Sequence, residues 1–225
     1  MPTFALIAEG ITDQVALDAI LEGYYRDRTD DGIDVNPLQP RRDETDRTRV
    51  AEDTFGGWEL VLEFCADHAR IAEALVLNDY LIIQIDTDCG DHPRYGVNLT
   101  VDGQDKSVGE LVGAVRLKLI ETLGAPLYER NRDRIFFAIC VHSLECWLLP
   151  IHETQDGKRK KTKSCETHLQ VTLCRSGLPY QKDYDTYSSL SRDYRKRDFV
   201  TRHLRYNESF EIFILSLPDL TPANE

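Results

Sequence analysis

No apolar run in this chain approaches the roughly 18 residues a membrane span requires, which excludes a transmembrane helix. Nowhere does GxxxxGK precede Ser or Thr, so the chain has no Walker-type phosphate loop and is not expected to hydrolyse ATP. The six cysteines (Cys65, Cys89, Cys140, Cys146, Cys165 and Cys174) form no CxxC pair and no regular spacing. They read as reduced core or loop thiols rather than a disulfide framework or a zinc site. Internal repeats and low-complexity tracts are absent. The opening MPTFALIAEG carries no basic stretch and meets Glu9 early, so a secretory leader is not expected and a soluble cytoplasmic protein is.

What is present is an ordinary globular composition: 225 residues, 41% hydrophobic and 29% charged, with 9 Pro and 13 Gly. That suffices for one large domain, or one domain with an appendage, around a substantial core. The net charge is −12 and unevenly spread. Residues 156–205 hold 13 Lys/Arg against 6 Asp/Glu, a local +7, and the other 175 residues therefore carry −19. An acidic body with one basic segment suits either solubility or a carboxylate site facing a phosphate-gripping arm.

Continuously apolar runs at Phe4–Ala8, Tyr80–Ile85 and Ile135–Val141 predict strands buried on both faces. Residues 33–39 predict a further strand, confined to an edge by Pro37. Helical spacing follows Thr12, a candidate cap, through Val15, Leu17, Ile20 and Leu21, and resumes from Trp58 to Ile71. A polar stretch, 41–49, lies between. Residues 89–106 predict a long loop. Ser107 and Glu110 have capping-box spacing before another helix, and Ser143 is positioned to cap the next. This alternation predicts an α/β fold with a mostly parallel four-stranded sheet over 1–150. A basic, mainly helical extension over 151–225 is expected to pack on it. In that extension the pattern predicts a helix over 164–175 with Gly177 beyond its end, and Asn207 capping an amphipathic helix with Phe210, Phe213, Ile214 and Leu217.

Parallel sheets bind ligands beyond the carboxyl ends of their strands. Glu9, Asp86, Asp88 and Glu145 all fall just after predicted strands. Asp13, one helical turn beyond Glu9, can point back to the same spot. Clustered carboxylates repel unless a cation joins them, and Mg²⁺ prefers oxygen ligands. Cys89 is read as inert because its aspartate neighbours raise a thiol's pKa. Trp58, Trp147 and His142 are read as structural.

Glu9-Gly10-Ile11-Thr12-Asp13, followed after an apolar strand by Asp86-Thr87-Asp88, resembles the Toprim domain of topoisomerases, primases and OLD-family nucleases. The EGxTD form is similar to the OLD-type branch and to small stand-alone Toprim-like bacterial proteins, which also tend to carry an element like Glu145-Cys146-Trp147-Leu148-Leu149. The resemblance covers about residues 3–150. It implies phosphodiester hydrolysis of DNA or RNA with Mg²⁺ or Mn²⁺, two ions in all. Glu9, Asp13, Asp86 and Asp88 form the implied catalytic set, with Asp91 and Glu145 as further metal ligands.

Because no ATPase module is present, the resemblance further implies an ABC- or SMC-like ATPase partner, as in phage-defence systems that pair such a partner with a Toprim effector. The alternative is a catalytically silent Toprim-like module that binds a partner ATPase or nucleic acid. A homo-oligomer fits either. Lys158, Arg159, Lys160, Lys161, Lys163, Arg195, Lys196 and Arg197 are the candidate nucleic-acid contacts, with Arg192 nearby. OLD-type nucleases also use a lysine near their metals, for which Lys160, Lys163, Lys182 and Lys196 are equal candidates.

Overall fold

A computed structural model describes residues 1–40 and 57–221; the polar stretch 41–49 lies outside them. In chain order the elements are β1 (Thr3–Ile7), α1 (Ile11–Tyr25), β2 (Asp34–Gln39), α2 (Gly57–Ala66), α3 (His68–Leu77) and β3 (Tyr80–Asp86). There follow β4 (Thr100–Val101), β5 (Gln104–Asp105), α4 (Val108–Leu123), α5 (Ala125–Asn131), β6 (Ile135–Cys140) and α6 (Glu145–His152). The C-terminal part is helical: α7 (Asp156–Arg159), α8 (Cys165–Arg175), α9 (Tyr184–Ser191), α10 (Arg197–His203) and α11 (Glu208–Ser216). Among the described residues no helix is long and apolar enough to cross a membrane.

The main sheet runs β2-β1-β3-β6 and every pairing in it is parallel, as the α/β pattern predicts. Pro37 sits in the edge strand β2, where its missing N–H costs no ladder bond on the open side. Side chains alternate between the two faces of each strand. Phe4, Leu6, Ile82, Phe136 and Ala138 point into one core with α1, α6 and the C-terminal helices. Ala5, Ile7, Leu81, Ile83, Ile85, Phe137 and Ile139 point into the other, with α2, α3 and α4. Each fully buried Leu, Ile or Phe contributes roughly 1.5–3 kcal/mol, so both faces are strongly specified.

Pro150 lies inside α6, and residues beyond it share the core of α1: Leu169, Tyr187, Tyr194, Val200, Phe210 and Phe213 are buried with Leu17 and Ile20. Trp147, fully buried, stacks on Phe213 and donates its indole N–H to Ser209 Oγ at 2.9 Å. Trp58 is likewise core, packed on Tyr95. The Asn207 cap and the Ser107–Glu110 capping box form as expected. Gly177, at φ +71°, closes α8 with a Schellman turn in which Leu178 N–H reaches the Leu173 carbonyl.

Five expectations are corrected. Gly10, not Thr12, occupies the cap position of α1, and Leu144 rather than Ser143 precedes α6; neither hydroxyl caps. The periodic stretch 58–71 is two helices, broken where Asp67 caps α3 through the Arg70 N–H. The loop 89–106 contains a small antiparallel hairpin, β4–β5. Cys146 and Cys165 are not reduced thiols but a disulfide joining α6 to α8 across 19 positions. Spacing could not reveal that pair, because its approach depends on how two helices dock. Closing a loop of that length contributes about 3 kcal/mol in the chain-entropy account.

The C-terminal segment approaches α1 closely at Gly23, where an added Cβ would overlap the Tyr194 carbonyl. Gly23→Ala is expected to lower stability by roughly 1–3 kcal/mol through overpacking, read as a drop of several degrees in Tm. An unchanged Tm would show that the two layers are not in backbone contact there.

Candidate active site at the carboxyl edge of the sheet

The chain leaves β1 toward β2 on one side and leaves β3 toward β6 on the other. The carboxyl ends of β1 and β3 therefore flank a topological switch point, where the outgoing loops diverge and leave a crevice. Glu9 follows β1, and Asp86 ends β3.

Gln84, a fully buried residue of β3, ties the two ends together. Its Oε1 accepts the Glu9 N–H at 2.9 Å and its Nε2 donates to Asp86 Oδ1 at 2.8 Å. Glu9 Oε1 in turn accepts the Asp86 N–H at 2.6 Å. Tyr95, whose hydroxyl donates to the Asp86 carbonyl at 2.8 Å, fixes the strand end from the other face. Two glycines allow the approach. A Cβ on Gly10 would stand 2.9 Å from Asp13 Oδ2, and one on Gly57 would stand 2.6 Å from the Glu9 carbonyl. Asp13 thus folds back over the N-terminus of α1, and α2 starts against Glu9.

Five of the six sequence-expected carboxylates share one electrostatic neighbourhood. Burial first, then the charge of Asp13, pushes the Glu9 carboxyl from 4.5 up to about 8, with Asp88 adding to it. Burial and then Glu145 push Asp13 from 3.8 up to about 7. Burial, then Glu9, Asp13, Glu145 and Asp88, hold Asp86 well above the usual carboxylate range. Asp91 stands apart: it accepts the Leu99 N–H at 2.8 Å and lines a neighbouring cavity.

Among the described residues, one lysine answers this charge. Lys182 Nζ lies 3.8 Å from Glu145 Oε1 and 3.9 Å from Glu166 Oε2. Burial would lower its pKa, but Glu145, Glu166, Asp13 and Asp86 together hold it above the ordinary lysine value. Tyr187, whose hydroxyl donates to Glu145, and Tyr180, whose hydroxyl donates to Glu166 at 3.0 Å, lie 2.8 Å apart at their oxygens. Lys182 and both tyrosines come from the C-terminal extension. Sequence reasoning could not choose Lys182 among four lysines, and it passed over Gln84, Tyr95, Tyr180 and Tyr187. The one available signal was Gln84, a polar residue inside the apolar run YLIIQID.

The basic candidates separate by their partners. Arg159 donates to the Pro150 carbonyl at 3.0 Å and to Tyr206 Oη at 2.7 Å, so it holds the fold together. Lys163 pairs with Asp105 at 2.5 Å, Lys196 with Asp193 at 2.8 Å, and Arg195 with Asp18 and Glu22 of α1. Among the described residues Lys158, Lys160, Lys161 and Arg197 make no ion pair. Cys89 agrees with its expected inertness: burial, then Asp88, pushes its thiol up to about 11.

No family model, curated protein or solved structure matches this chain.

The site's oxygens suit a hard divalent cation in type. Among the described residues, though, no three His, Cys, Asp or Glu side chains are arranged to hold one ion. Mg²⁺ requires only one or two protein carboxylates, the rest of its shell being water and phosphate, so the two facts agree.

Glu9 and Asp13 keep their protons in the folded chain over a range where the unfolded chain has lost them. The native state then binds more protons, and stability falls as pH rises from about 4.5 toward about 8. In a chelating buffer Tm is expected to decline from about pH 5 to about pH 8, and Glu9→Gln to flatten that decline. A wild-type Tm that rises over this window, or a Glu9→Gln profile parallel to wild type, would contradict the clustered arrangement.

Proposed function

We propose that this protein is a divalent-metal-dependent nuclease, hydrolysing phosphodiester bonds in DNA or RNA, of the Toprim type that its EGITD and DTD segments resemble. The observation that carries this reading is the meeting of Glu9, Asp13, Asp86, Asp88 and Glu145 with Lys182 at the switch point of a parallel sheet. Asp86 and Asp88 would hold one Mg²⁺ or Mn²⁺, and Glu9 with Asp13 a second. Bound there, such ions supply Lewis-acid stabilisation of the phosphoryl group and an acidified water.

The protein's own groups divide the remaining work. Glu9, just beyond the carboxyl end of β1, is the group suited to moving a proton at the reacting oxygen. Lys182 offers a positive charge to a substrate phosphate on the same edge. Gln84 and Tyr187 hold Asp86 and Glu145 in place. ATP sensing, for which this chain has no loop, would fall to an ABC- or SMC-like partner in an anti-phage system.

Plasmid and RNA cleavage by the purified protein in Mn²⁺ tests the reading. Glu9→Ala and Asp86→Ala are each expected to cut roughly 10²–10⁴-fold more slowly. Equal cutting by wild type and both variants would trace the activity to a contaminant and sink the proposal. No cutting, together with capture of an ATPase or nucleic acid, would establish the silent interaction module instead.

Nucleic acid would meet the extension through Lys158, Lys160 and Lys161. Changing these three to Gln is expected to flatten the log–log salt dependence of duplex binding by about 2.7 units, at about 0.9 per phosphate contact. Arg159→Gln, by contrast, is expected to lower Tm, since that side chain is engaged within the fold. An unchanged slope in the triple variant would remove this segment from the binding surface.

A further inference from the structure

Beside the carboxylates lies a cavity of about 270 Å³. Its wall joins the site directly: the Asp88 N–H donates to the His142 carbonyl at 3.1 Å, and the His142 N–H to Thr87 Oγ1 at 2.8 Å. Leu99, Val108, Leu111 and Val141 give it an apolar floor. Lys106, Lys163 and His142 also line it, together with Asp91 and Asp105. Both acids are already engaged, Asp91 by the Leu99 N–H and Asp105 by Lys163. Lys106, which lines the cavity, makes no ion pair among the described residues.

A flat apolar base with a phosphate at one end fits these surroundings. The volume falls just below the roughly 300–1,000 Å³ of pockets that enclose drug-sized ligands, which is room for one nucleoside. Given the nuclease reading above, we infer that this cavity receives the nucleotide next to the bond that is cut. Its base lies on Leu99, Val108 and Val141, and its phosphate meets Lys106 and Lys163. The Lys163–Asp105 pair is exposed on both sides, and exposed pairs of this kind are weak, so an incoming phosphate displaces Asp105 readily. The pair also ties β5, in the hairpin at residues 100–105, to the segment after α7, so displacement frees the cavity's rim as the substrate arrives.

Calorimetric titration in chelating buffer separates this subsite from the chemistry. The probes are adenosine and thymidine 5′-monophosphates, the matching nucleosides and inorganic phosphate. The monophosphates are expected to bind at least tenfold more tightly than either nucleoside or phosphate alone. Thr100→Trp, which fills the cavity from an exposed position on β4, and Lys106→Gln are each expected to weaken that binding about tenfold or more. A monophosphate that binds no better than phosphate, or an affinity that Thr100→Trp leaves unchanged, overturns the inference. Monophosphate binding without any cleavage activity would sink the nuclease reading and leave the subsite standing. Cleavage without monophosphate binding would do the reverse.

Discussion

Carboxyl groups brought together in a poorly hydrated crevice resist ionising together, because each one's charge raises the cost of the next. Glu9, Asp13 and Asp86 are held in that condition, and most of what surrounds them answers it. Gln84 ties the two strand ends through its one amide, Tyr187 donates a hydrogen bond to Glu145, and Lys182 contributes the compensating charge. Remove the repulsion and there is little reason for a lysine and two tyrosines of a distant segment to converge here. A cation entering such a cluster would relieve its repulsion, and functional sites commonly depart in this way from the most stable choice of residues.

The sheet makes that concentration possible. In a parallel sheet all carboxyl ends face the same way, so residues far apart in the chain reach one edge without any special device. The alternation of side chains then decides who is buried where. Even-numbered residues of β3 share the face of α1 and α6, so a single amide at Gln84 lies under both strand ends, while odd-numbered neighbours seal the opposite core.

Much of this was legible from residue order. Apolar runs at β1, β3 and β6 identify strands buried on both faces, and the placement of Glu9, Asp86 and Asp88 just after them follows directly. Ser107 with Glu110 and Asn207 with Phe210 are local contacts, which is why capping patterns found them. Lys182, Tyr187 and the Cys146–Cys165 bond were hidden for the opposite reason, since each depends on how the C-terminal helices dock on α1 and α6. The basic run 158–163 misled in part: Arg159 and Lys163 carry the same charge as their neighbours, but one is bonded to Tyr206 and the other to Asp105. Charge density along a sequence does not reveal which charges are already taken.

The position of α11 sets a condition on how the molecule comes into being. Phe210 and Phe213 complete the packing around Trp147, and Tyr25 reaches the Pro218 carbonyl, so the α1 face of the sheet is not closed until the last described helix is in place. Between synthesis of Cys140 and of Ser216 the ribosome spends on the order of 4 to 15 s at about 5–20 residues per second. Through that interval a fully formed strand register would lack the part of its cover that α11 supplies. The nascent chain, rather than the finished protein, is therefore the species most open to aggregation, and the second half of its own sequence is what rescues the first.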